Sequence, residues 1–314
     1  MHSNPRIVIA DPIAPAAETI LRSNATVQRV AGTRRAELLE AVTRADALVV
    51  RSATTVDRDV FDAASDLRVV GRAGVGVDNI DLDAARTRGV TVVNTPTANI
   101  HSACEHAIAL LLAAARHIPA ADASVRGGGW ERSRFQGVEV FGKTVGVIGF
   151  GRVGQLFAER ISAFGTTVVA ADPYPDREAA QRLGVRIVPL EELMAVSDFV
   201  SVHVPKLPET HGLVDTRLLS HAKPGQILVN AARGGVVDEH ALADALRGGR
   251  IRAAGIDVFE QEPPEDSPLL GLDNVVATPH LGAATAEAQD RAGTDIAHAV
   301  LAVLRGGDAP GVVV

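Results

Sequence analysis

The stretch TVGVIGFGRVGQ, residues 144–155, constrains the fold of this chain more than any other feature of its sequence. A short apolar run typical of a strand leads into Gly149, Gly151 and Gly154, and a helical pattern follows over 153–164. In such a turn the first glycine permits tight backbone geometry, the second admits a pyrophosphate, and the third lets the helix pack against the strand. The pyrophosphate then lies against free N–H groups at the helix N-terminus. The motif therefore predicts a dinucleotide-binding domain of the Rossmann type.

About 140 residues precede this motif, although a fingerprint of this kind usually opens its domain. Those residues carry their own alternation of short apolar runs and helical patterns. The strand-like runs cover 6–11, 47–52, 67–74 and 90–96, and the helical patterns cover 14–24, 34–45, 57–65 and 81–89. Strand and helix in alternation predict a parallel sheet with helices on both faces. We therefore predict that the N-terminal part is an α/β domain in its own right.

A second alternation of strand-like runs and helical patterns begins at Lys143, and a last helical pattern covers 285–305. A chain of 314 residues is long enough for two domains. We predict an α/β fold of two doubly wound parallel-sheet domains. In it, a Rossmann NAD-binding domain (99–284) is inserted into a flavodoxin-like substrate domain (1–98), on which residues 285–314 pack back. A ligand is then expected in the cleft between the two domains.

Composition argues against two classes of partner. Hydrophobic residues make up 46% of the chain and aromatic residues only 3%, so the cores must consist mainly of Ala, Val, Leu and Ile. The net charge of −7 is spread along the chain without basic runs, which argues against a nucleic-acid partner. The apolar run at 107–115 is too short to span a bilayer, so no membrane partner is predicted.

The only cysteine, Cys104, lies in a helical pattern over 99–118 and has no second thiol in the chain with which to form a disulfide. This cysteine usage is typical of a reducing compartment. The N-terminal residues show no signal-peptide pattern. We therefore expect a cytoplasmic location. No metal site is predicted.

The cofactor preference is indicated by Asp172, which ends the strand after the glycine turn, 21 residues beyond Gly151. A carboxylate at this place accepts hydrogen bonds from the adenosine ribose and repels a 2′-phosphate, which favours NAD over NADP. Arg177 lies nearby and weakens this preference. We also predict that the cofactor site is lined by Arg152, Val153, His203, Ala231 and Asp257, with His203 on the nicotinamide side.

Three polar side chains lie where buried strands are predicted to end. Arg233 follows ILVNAA, Glu262 follows GIDVFEQ and His280 follows NVVATP. In such sheets these strand ends face the ligand crevice. Histidine donates or accepts a proton near neutral pH, a nearby carboxylate stabilises its charged form, and a guanidinium binds a carboxylate with two hydrogen bonds. The three residues are therefore candidates for hydride transfer chemistry at a ketone.

Each candidate also has a structural interpretation. His280 would then be a hydrogen-bonded core imidazole, Glu262 a surface carboxylate of the EQEPPED loop, and Arg233 a clamp on a phosphate or on the backbone. His203 also ends a strand and is the second candidate histidine. The remaining histidines, His106 among them, are not selected as functional, several because they lie in helical patterns.

A second glycine pair, Gly74 and Gly76 in AGVGVDN, has no third glycine in register and lies in the N-terminal domain. This pair is therefore not a second dinucleotide motif. Closely spaced glycines leave backbone N–H groups exposed, an arrangement that suits a small anion such as a carboxylate.

Further motifs occur in order along almost the whole chain: VVGRAGVGVDNIDLDAA, NAARGGVVDE, GIDVF followed by EPP, and TPHLGA. With the glycine fingerprint, they resemble those of the D-isomer-specific 2-hydroxyacid dehydrogenases. The resemblance implies that His280 is the general acid and base, that Glu262 is its partner, and that Arg233 binds the substrate carboxylate and keto oxygen. It also implies that the backbone amides of Val75 and Gly76 help to hold the carboxylate.

Within that family, the motifs are most similar to the branch that acts on 3-phosphoglycerate, in which arginines bind the distal phosphate. The matching positions are Arg51, Arg72 and Arg132, the last supplied by the other subunit. Clustered arginines suit a dianionic substrate. The family dimerises through its cofactor domains, so the resemblance also implies a homodimer.

Three other functions stay open at this point. A related enzyme would reduce phosphonopyruvate in a specialised pathway, or hydroxypyruvate or glyoxylate. A protein of another class would sense NAD without catalysis, as the corepressors of this fold do. Long family members carry further C-terminal domains, including a serine-sensing module, and this chain ends at GDAPGVVV. We therefore expect no inhibition by serine through such a module.

Overall fold

A computed structural model describes residues 4–314 of the chain. These residues form two compact units. The outer unit consists of the described residues up to Asn99 together with Ala283–Val314, and the inserted unit consists of Ile100–Gly282.

The outer unit is built on a five-stranded parallel sheet. Up to Asn99, strands and helices alternate in the order β1 (Arg6–Ile9), α1 (Pro15–Arg22), β2 (Thr26–Arg29), α2 (Arg35–Val42), β3 (Ala47–Val50), α3 (Arg58–Ala63), β4 (Val69–Arg72), α4 (Leu82–Arg88) and β5 (Thr91–Asn94). The strand order in the sheet is β2-β1-β3-β4-β5, and every neighbouring pair is parallel. This order is the flavodoxin-like one, in which the connections reverse at β1 and β3.

The inserted unit is built on a seven-stranded parallel sheet. Its elements are α5 (Ile100–Arg116), α6 (Ile118–Arg126), a short 3-10 helix (Arg132–Phe135), β6 (Thr144–Ile148), α7 (Arg152–Ser162), β7 (Thr167–Ala171), α8 (Arg177–Leu183), β8 (Arg186–Ile187), α9 (Leu190–Val196), β9 (Phe199–Val202), α10 (Thr216–Ser220), β10 (Gln226–Asn230), α11 (Glu239–Arg247), β11 (Ile251–Ile256) and β12 (Val275–Ala277). The strand order is β12-β11-β10-β9-β6-β7-β8. The order reverses between β6 and β9, which is where Rossmann sheets bind dinucleotides.

The chain then returns to the outer unit as α12 (Ala286–Leu304), whose first turn is capped by the Thr285 hydroxyl accepting from the N–H of Ala288. Glycine at position 71 of β4 makes close packing possible, because a Cβ there would lie 2.5 Å from Val300 of α12. Beyond α12, the N–H of Val313 donates to the carbonyl of Val92 at 2.8 Å, and the bridge between Val93 and Val312 is antiparallel. The last residues thus cover the edge of β5.

Alternate residues of each central strand enter cores on opposite faces of its sheet, as the pleat requires. In the outer unit, Ile7 and Ile9 of β1 join the core with α1 and α12, and Val8 joins the core with α2 and α3. In the inserted unit, Val147 of β6 joins the core with α5 and α7, and Ile148 joins the core with α9, α10 and α11. Burial on both faces explains why these strands read as continuous apolar runs.

The predicted fold class is confirmed, since both sheets are doubly wound and parallel and the Rossmann unit is inserted in the chain of the flavodoxin-like unit, between β5 and α12. Three elements were not predicted: β2, α6 and the short 3-10 helix (Arg132–Phe135). β2 is an edge strand whose side chains are mostly exposed, so it lacks the apolar alternation of a half-buried strand. The helix predicted over 99–118 ends at Arg116, and the chain bends by 62° into α6, none of whose residues is buried.

Within residues 4–314, no single helix is long and apolar enough to cross a membrane. α5 and α6 reach the required length and hydropathy only when they are taken together as a bent pair. In this structure α5 buries seven of its residues in the inserted unit.

Candidate functional site

The glycine turn lies at the end of β6, in the middle of the inserted sheet, and each of its glycines meets a different constraint. Gly149 has a φ of 92°, a conformation that favours glycine. A Cβ on Gly154 would lie 2.1 Å from the carbonyl oxygen of Gly149, so only glycine lets α7 approach the strand end this closely. A Cβ on Gly151 would meet no atom within 4 Å. The turn therefore has the open central position that a pyrophosphate requires.

The first turn of α7 supplies hydrogen-bond donors beside this position. Gly151 is the N-cap, and the first bond of the helix runs from the N–H of Gln155 to the carbonyl of Gly151 at 2.8 Å. The N–H groups of Arg152 and Val153 precede that bond and point out of the helix end. Open space at Gly151 and free donors beside it fit a dinucleotide pyrophosphate.

Asp172 follows β7 and links the glycine turn to the next loop. Its carboxylate accepts hydrogen bonds from the N–H of Phe150 at 2.7 Å and from the N–H of Tyr174 at 2.8 Å. The side chain is half-buried, and each carboxylate oxygen has a second lone pair. Asp172 thus holds the glycine turn in place and retains acceptor capacity for hydroxyl groups of a ligand.

His203 follows β9, beside β6 in the sheet, and its N–H donates to the carbonyl of Ile148 at 2.7 Å. Its Nε2 lies 2.9 Å from the hydroxyl of Ser201, and its ring centroid lies 4.8 Å from that of Phe157. Burial lowers the pKa of His203 to about 3. The ring is therefore neutral near pH 7 and is suited to a wall of the site rather than to proton transfer.

His280 and Glu262 form a hydrogen-bonded pair beside the ends of β11 and β12. His280 Nδ1 lies 2.7 Å from one carboxylate oxygen of Glu262, and the other oxygen accepts from the N–H of Phe259 at 3.1 Å. An ionised carboxylate only accepts hydrogen bonds, so Nδ1 carries the proton in this pair. Nε2 is therefore the ring nitrogen that gains or loses a proton.

The pair shifts the pKa values of both partners. The hydrogen bond to Glu262 raises the pKa of His280, and burial and the charge of Arg233 oppose this rise. Burial on its own would raise the pKa of Glu262, but the hydrogen bonds from His280 and from the N–H of Phe259 outweigh it and lower that pKa. The imidazolium–carboxylate form is thus favoured, which suits His280 to the role of general acid.

A buried carboxylate fixes the turn that carries His280. His280 has a φ of 54°, in the left-handed region, and its N–H donates to the carbonyl of Asp257 at 2.8 Å. The N–H groups of Leu281 and Gly282 donate to the two carboxylate oxygens of Asp257 at 2.7 and 2.8 Å. Asp257 is fully buried. Asp257 is predicted to contact the cofactor, and in the structure its carboxylate also fixes the turn that carries His280.

His106 and Thr278 complete the surroundings of Asp257. The Thr278 hydroxyl donates to Asp257 Oδ1 at 2.6 Å, and His106 Nε2 lies 3.0 Å from the same oxygen. Burial alone would raise the pKa of Asp257, but these hydrogen bonds and those of the turn outweigh it and lower that pKa. The sequence did not single out His106. Its position on α5, one turn before the buried Leu110, is the signal that identifies it as an inward-facing polar residue.

Arg233 follows β10, next to β11 in the sheet. Asn230 holds its turn, since its side-chain amide donates to the carbonyl of Arg233 at 3.0 Å and accepts from the N–H of Ala232 at 3.1 Å. A Cβ on Gly234 would lie 1.7 Å from the carbonyl oxygen of Phe259, so this turn lies directly against the Glu262 loop. The structure therefore brings Arg233, Glu262 and His280 to one edge of the sheet. Ala231, two residues before Arg233, is half-buried.

In the outer unit, Arg51 follows β3, and Arg72 is the last residue of the neighbouring strand β4. A Cβ on Gly74 would lie 1.8 Å from Nη1 of Arg72, so the guanidinium packs directly on the turn that carries Val75 and Gly76. The structure thus brings a positive charge and this glycine-rich turn together. Arg132 lies in the inserted unit, where it is exposed at the start of the 3-10 helix.

The Arg51 loop is held by two residues that the sequence did not single out. Buried Asp11 accepts from the N–H of Arg51 at 2.6 Å and from the Thr54 hydroxyl at 2.8 Å. The Asn79 amide donates to the carbonyls of Arg51 and Thr54 at 2.7 and 2.6 Å. Asp11 is the last residue of the predicted strand-like run 6–11, and Asn79 follows the run 67–74 by five residues, so a polar residue at or after a strand end was the available signal.

Comparison with known proteins gives consistent results. Residues 108–282 match the NAD-binding domain of the D-isomer specific 2-hydroxyacid dehydrogenases. The chain is 60% identical over 304 residues to D-3-phosphoglycerate dehydrogenase of Mycobacterium tuberculosis, with 97% of this chain and 58% of that protein aligned. It is 49% identical over 302 residues to the protein of the same name from Methanocaldococcus jannaschii, with 96% and 58% aligned. The chain thus spans a little over half the length of these relatives.

Among solved structures, the TT0316 protein from Thermus thermophilus is similar to this chain with a TM-score of 0.91 and 38% sequence identity. The match covers 98% of this chain and 100% of that one.

Proposed function

Because this chain belongs to the D-isomer-specific 2-hydroxyacid dehydrogenases, we propose that it transfers hydride between NAD(H) and C2 of a 2-hydroxy or 2-keto acid. The observation that carries this proposal is the His280–Glu262 pair, which joins the two side chains at 2.7 Å beside Arg233. Relatives named D-3-phosphoglycerate dehydrogenase favour 3-phosphoglycerate and 3-phosphohydroxypyruvate as the substrate pair. The reaction would then belong to serine biosynthesis.

NADH, when bound, supplies the hydride. The chain's own residues supply binding and the proton. In reduction, Nε2 of protonated His280 donates a proton to the carbonyl oxygen, and in oxidation the neutral ring accepts the hydroxyl proton. Glu262 stabilises the charged ring, and Arg233 binds the substrate carboxylate and polarises the carbonyl. Asp257 keeps His280 in position by holding its turn.

The cofactor proposal rests on the glycine turn and on Asp172. Gly151 and the first turn of α7, with Arg152 and Val153, face the pyrophosphate, and Asp172 accepts from the adenosine ribose. The carboxylate of Asp172 favours NAD over NADP because it repels a 2′-phosphate. His203 lines the nicotinamide side as a neutral ring.

The outer unit is proposed to recognise the anionic groups of the substrate. The N–H groups of Val75 and Gly76 bind its carboxylate, and Arg51 and Arg72 bind the distal phosphate. The Arg72 guanidinium lies against Gly74 so closely that a Cβ there would be 1.8 Å from Nη1. A positive charge at this place supports the binding of an anion at the turn.

We further propose a homodimer in which Arg132 of one protomer serves the other. In support, α6 has no buried residue, and Ile118 and Val125 on it are each 53% exposed. Trp130, just before Arg132, is 78% exposed. An apolar surface of this kind is typical of a protein interface. A cytoplasmic location stays a prediction from the single cysteine.

The experiment that tests the proposed function is NADH oxidation by the purified protein with four keto acids: 3-phosphohydroxypyruvate, phosphonopyruvate, hydroxypyruvate and glyoxylate. The highest kcat/KM is expected for 3-phosphohydroxypyruvate. A preference for phosphonopyruvate would keep the mechanism and change the substrate. A kcat/KM for hydroxypyruvate or glyoxylate as high as that for the two acids with a distal anion would contradict the arginine assignment. NADH binding without turnover of any acid would favour a sensor rather than an enzyme.

A further inference from the structure

The turn at Gly74–Gly76 is held from one side by the end of β5. The side-chain amide of Asn94 donates to the carbonyl oxygen of Val75 at 2.6 Å. The N–H of Thr95 donates to the carbonyl oxygen of Gly74 at 3.0 Å. Two successive carbonyl groups therefore point toward the same strand end.

The direction of these carbonyls determines the direction of two N–H groups. In a trans peptide the N–H points away from the carbonyl of the same unit. The carbonyl of Gly74 shares its unit with the N–H of Val75, and the carbonyl of Val75 shares its unit with the N–H of Gly76. Both N–H groups thus point away from β5, and within residues 4–314 neither has a hydrogen-bond acceptor. Two such neighbouring N–H groups form an anion-binding nest.

Asn94 is itself held in place. Its N–H donates to the carbonyl of Gly311 at 2.9 Å, in the C-terminal segment that runs along β5. A Cβ on Gly311 would lie 2.1 Å from the carbonyl oxygen of Asn94 and 3.1 Å from its side-chain oxygen, so a larger residue at 311 would displace Asn94. The Asn94 amide is therefore fixed between the C-terminal segment and the carbonyl of Val75.

We propose that Asn94 is a positioning residue for substrate carboxylate binding, because its amide fixes the Val75–Gly76 peptide with the Gly76 N–H directed at the carboxylate. The proposal rests on the proposed function. Without the Asn94 amide, the Val75 carbonyl loses its donor and the peptide is free to rotate. Rotation turns the carbonyl oxygen toward the anion and removes the N–H that binds it. The Thr95 N–H cannot compensate, since it already holds the preceding peptide.

The first test is steady-state kinetics of Asn94→Ala with glyoxylate and with 3-phosphohydroxypyruvate. Both acids carry the carboxylate, so KM is expected to rise by the same factor for both, about 10- to 30-fold for the loss of one charge-assisted hydrogen bond. kcat is expected to change far less, and the affinity for NADH is expected to be unchanged. Asn24→Ala is the matched control, because the Asn24 amide also donates to a backbone carbonyl, that of Ile20, at 2.9 Å.

Asn94→Asp adds a readout that a merely structural role would not change. The ionised carboxylate cannot donate to the Val75 carbonyl, but the protonated acid can. The ratio of its KM to that of the wild type is therefore expected to fall as the pH is lowered from about 6 to about 4, the range in which an aspartate takes up its proton. A ratio that is independent of pH, or a KM of Asn94→Ala no higher than that of Asn24→Ala, would overturn the proposal.

A binding experiment separates this proposal from the proposed function. Malonate is titrated into ¹⁵N-labelled protein while the amide signals of Val75 and Gly76 are followed by NMR. The wild type is expected to show shifts at both amides, and Asn94→Ala is expected to lose the shift at Gly76. If the wild type turns over none of the keto acids but shows these shifts, the proposed reaction fails and the assignment of Asn94 stands. No shift at either amide in the wild type would refute the assignment.

Discussion

Replacement of Asp257 by Asn tests the claim that one buried carboxylate holds the His280 turn. In the wild type, Oδ1 accepts from Thr278, Leu281 and His106, and Oδ2 accepts from the N–H of Gly282. Asn is isosteric but offers one oxygen and one NH₂ group. If its oxygen takes the place of Oδ1, its NH₂ group faces the N–H of Gly282, and two donors oppose each other in a buried site.

The magnitude follows from this arrangement. A hydrogen bond to a charged group contributes about 1.5–3 kcal/mol, and a buried unpaired donor costs about 1–3 kcal/mol. We therefore expect Asp257→Asn to lower the free energy of unfolding by about 3–5 kcal/mol, as for other broken buried charge networks. For a unit of this size, this loss corresponds to a fall in Tm of roughly 10 °C. Turnover should fall as well, because His280 loses the anchor of its turn.

The pH dependence gives a second check. Asp257 has a lowered pKa in the folded protein, so the stability it contributes is present above the pKa of the unfolded state. That stability is lost as the pH falls through the folded pKa. The difference in stability between wild type and Asp257→Asn should therefore shrink in acid.

The assay is urea unfolding followed by circular dichroism, at neutral and acid pH, together with NADH oxidation. Asp215→Asn is the control, because Asp215 caps α10 by accepting from the N–H of Leu218 at 2.8 Å. Asn caps a helix about as well as Asp, so this variant should be nearly neutral. A loss below about 1 kcal/mol in Asp257→Asn, with unchanged turnover, would refute the reasoning from its hydrogen bonds.

Three further predictions concern the proposed reaction. His280→Ala should lower kcat by about 10²- to 10⁴-fold while NADH binding, followed by fluorescence, stays unchanged; unchanged turnover would exclude His280 as the acid. Glu262→Gln replaces the charged acceptor of His280 with a neutral amide oxygen and so should lower the pKa of His280, and the rate of keto-acid reduction should then decline at lower pH than in the wild type. A pH profile that superposes on that of the wild type would show that Glu262 does not set this pKa. Arg72→Ala should lower kcat/KM about 100-fold for 3-phosphohydroxypyruvate and much less for glyoxylate. Equal losses on both acids would assign a structural role to Arg72.

Much of the fold followed from local patterns. The glycine motif after an apolar run located the turn between β6 and α7, and the alternation of strands and helices predicted two parallel sheets. Strands that are buried on both faces are continuous apolar runs, so polar residues at their ends stand out. Arg233, Glu262 and His280 were found in this way, because the carboxyl ends of parallel strands lie at one edge of the sheet. Edge strand β2 and helix α6 have little or no buried apolar surface, and no local pattern marked them.

What the sequence by itself determined was therefore the type of fold and the residues that follow its buried strands. Only the tertiary structure showed how those residues are held. His106 reaches the Asp257–Thr278 pair across 172 positions of sequence, and Asn94 reaches the carbonyl of Val75 across 19. Such contacts depend on which helix packs over which strand end and on the direction of single peptide groups. Hydrophobic periodicity reports which face of an element is buried, and it carries no information about the partner that a polar group meets there.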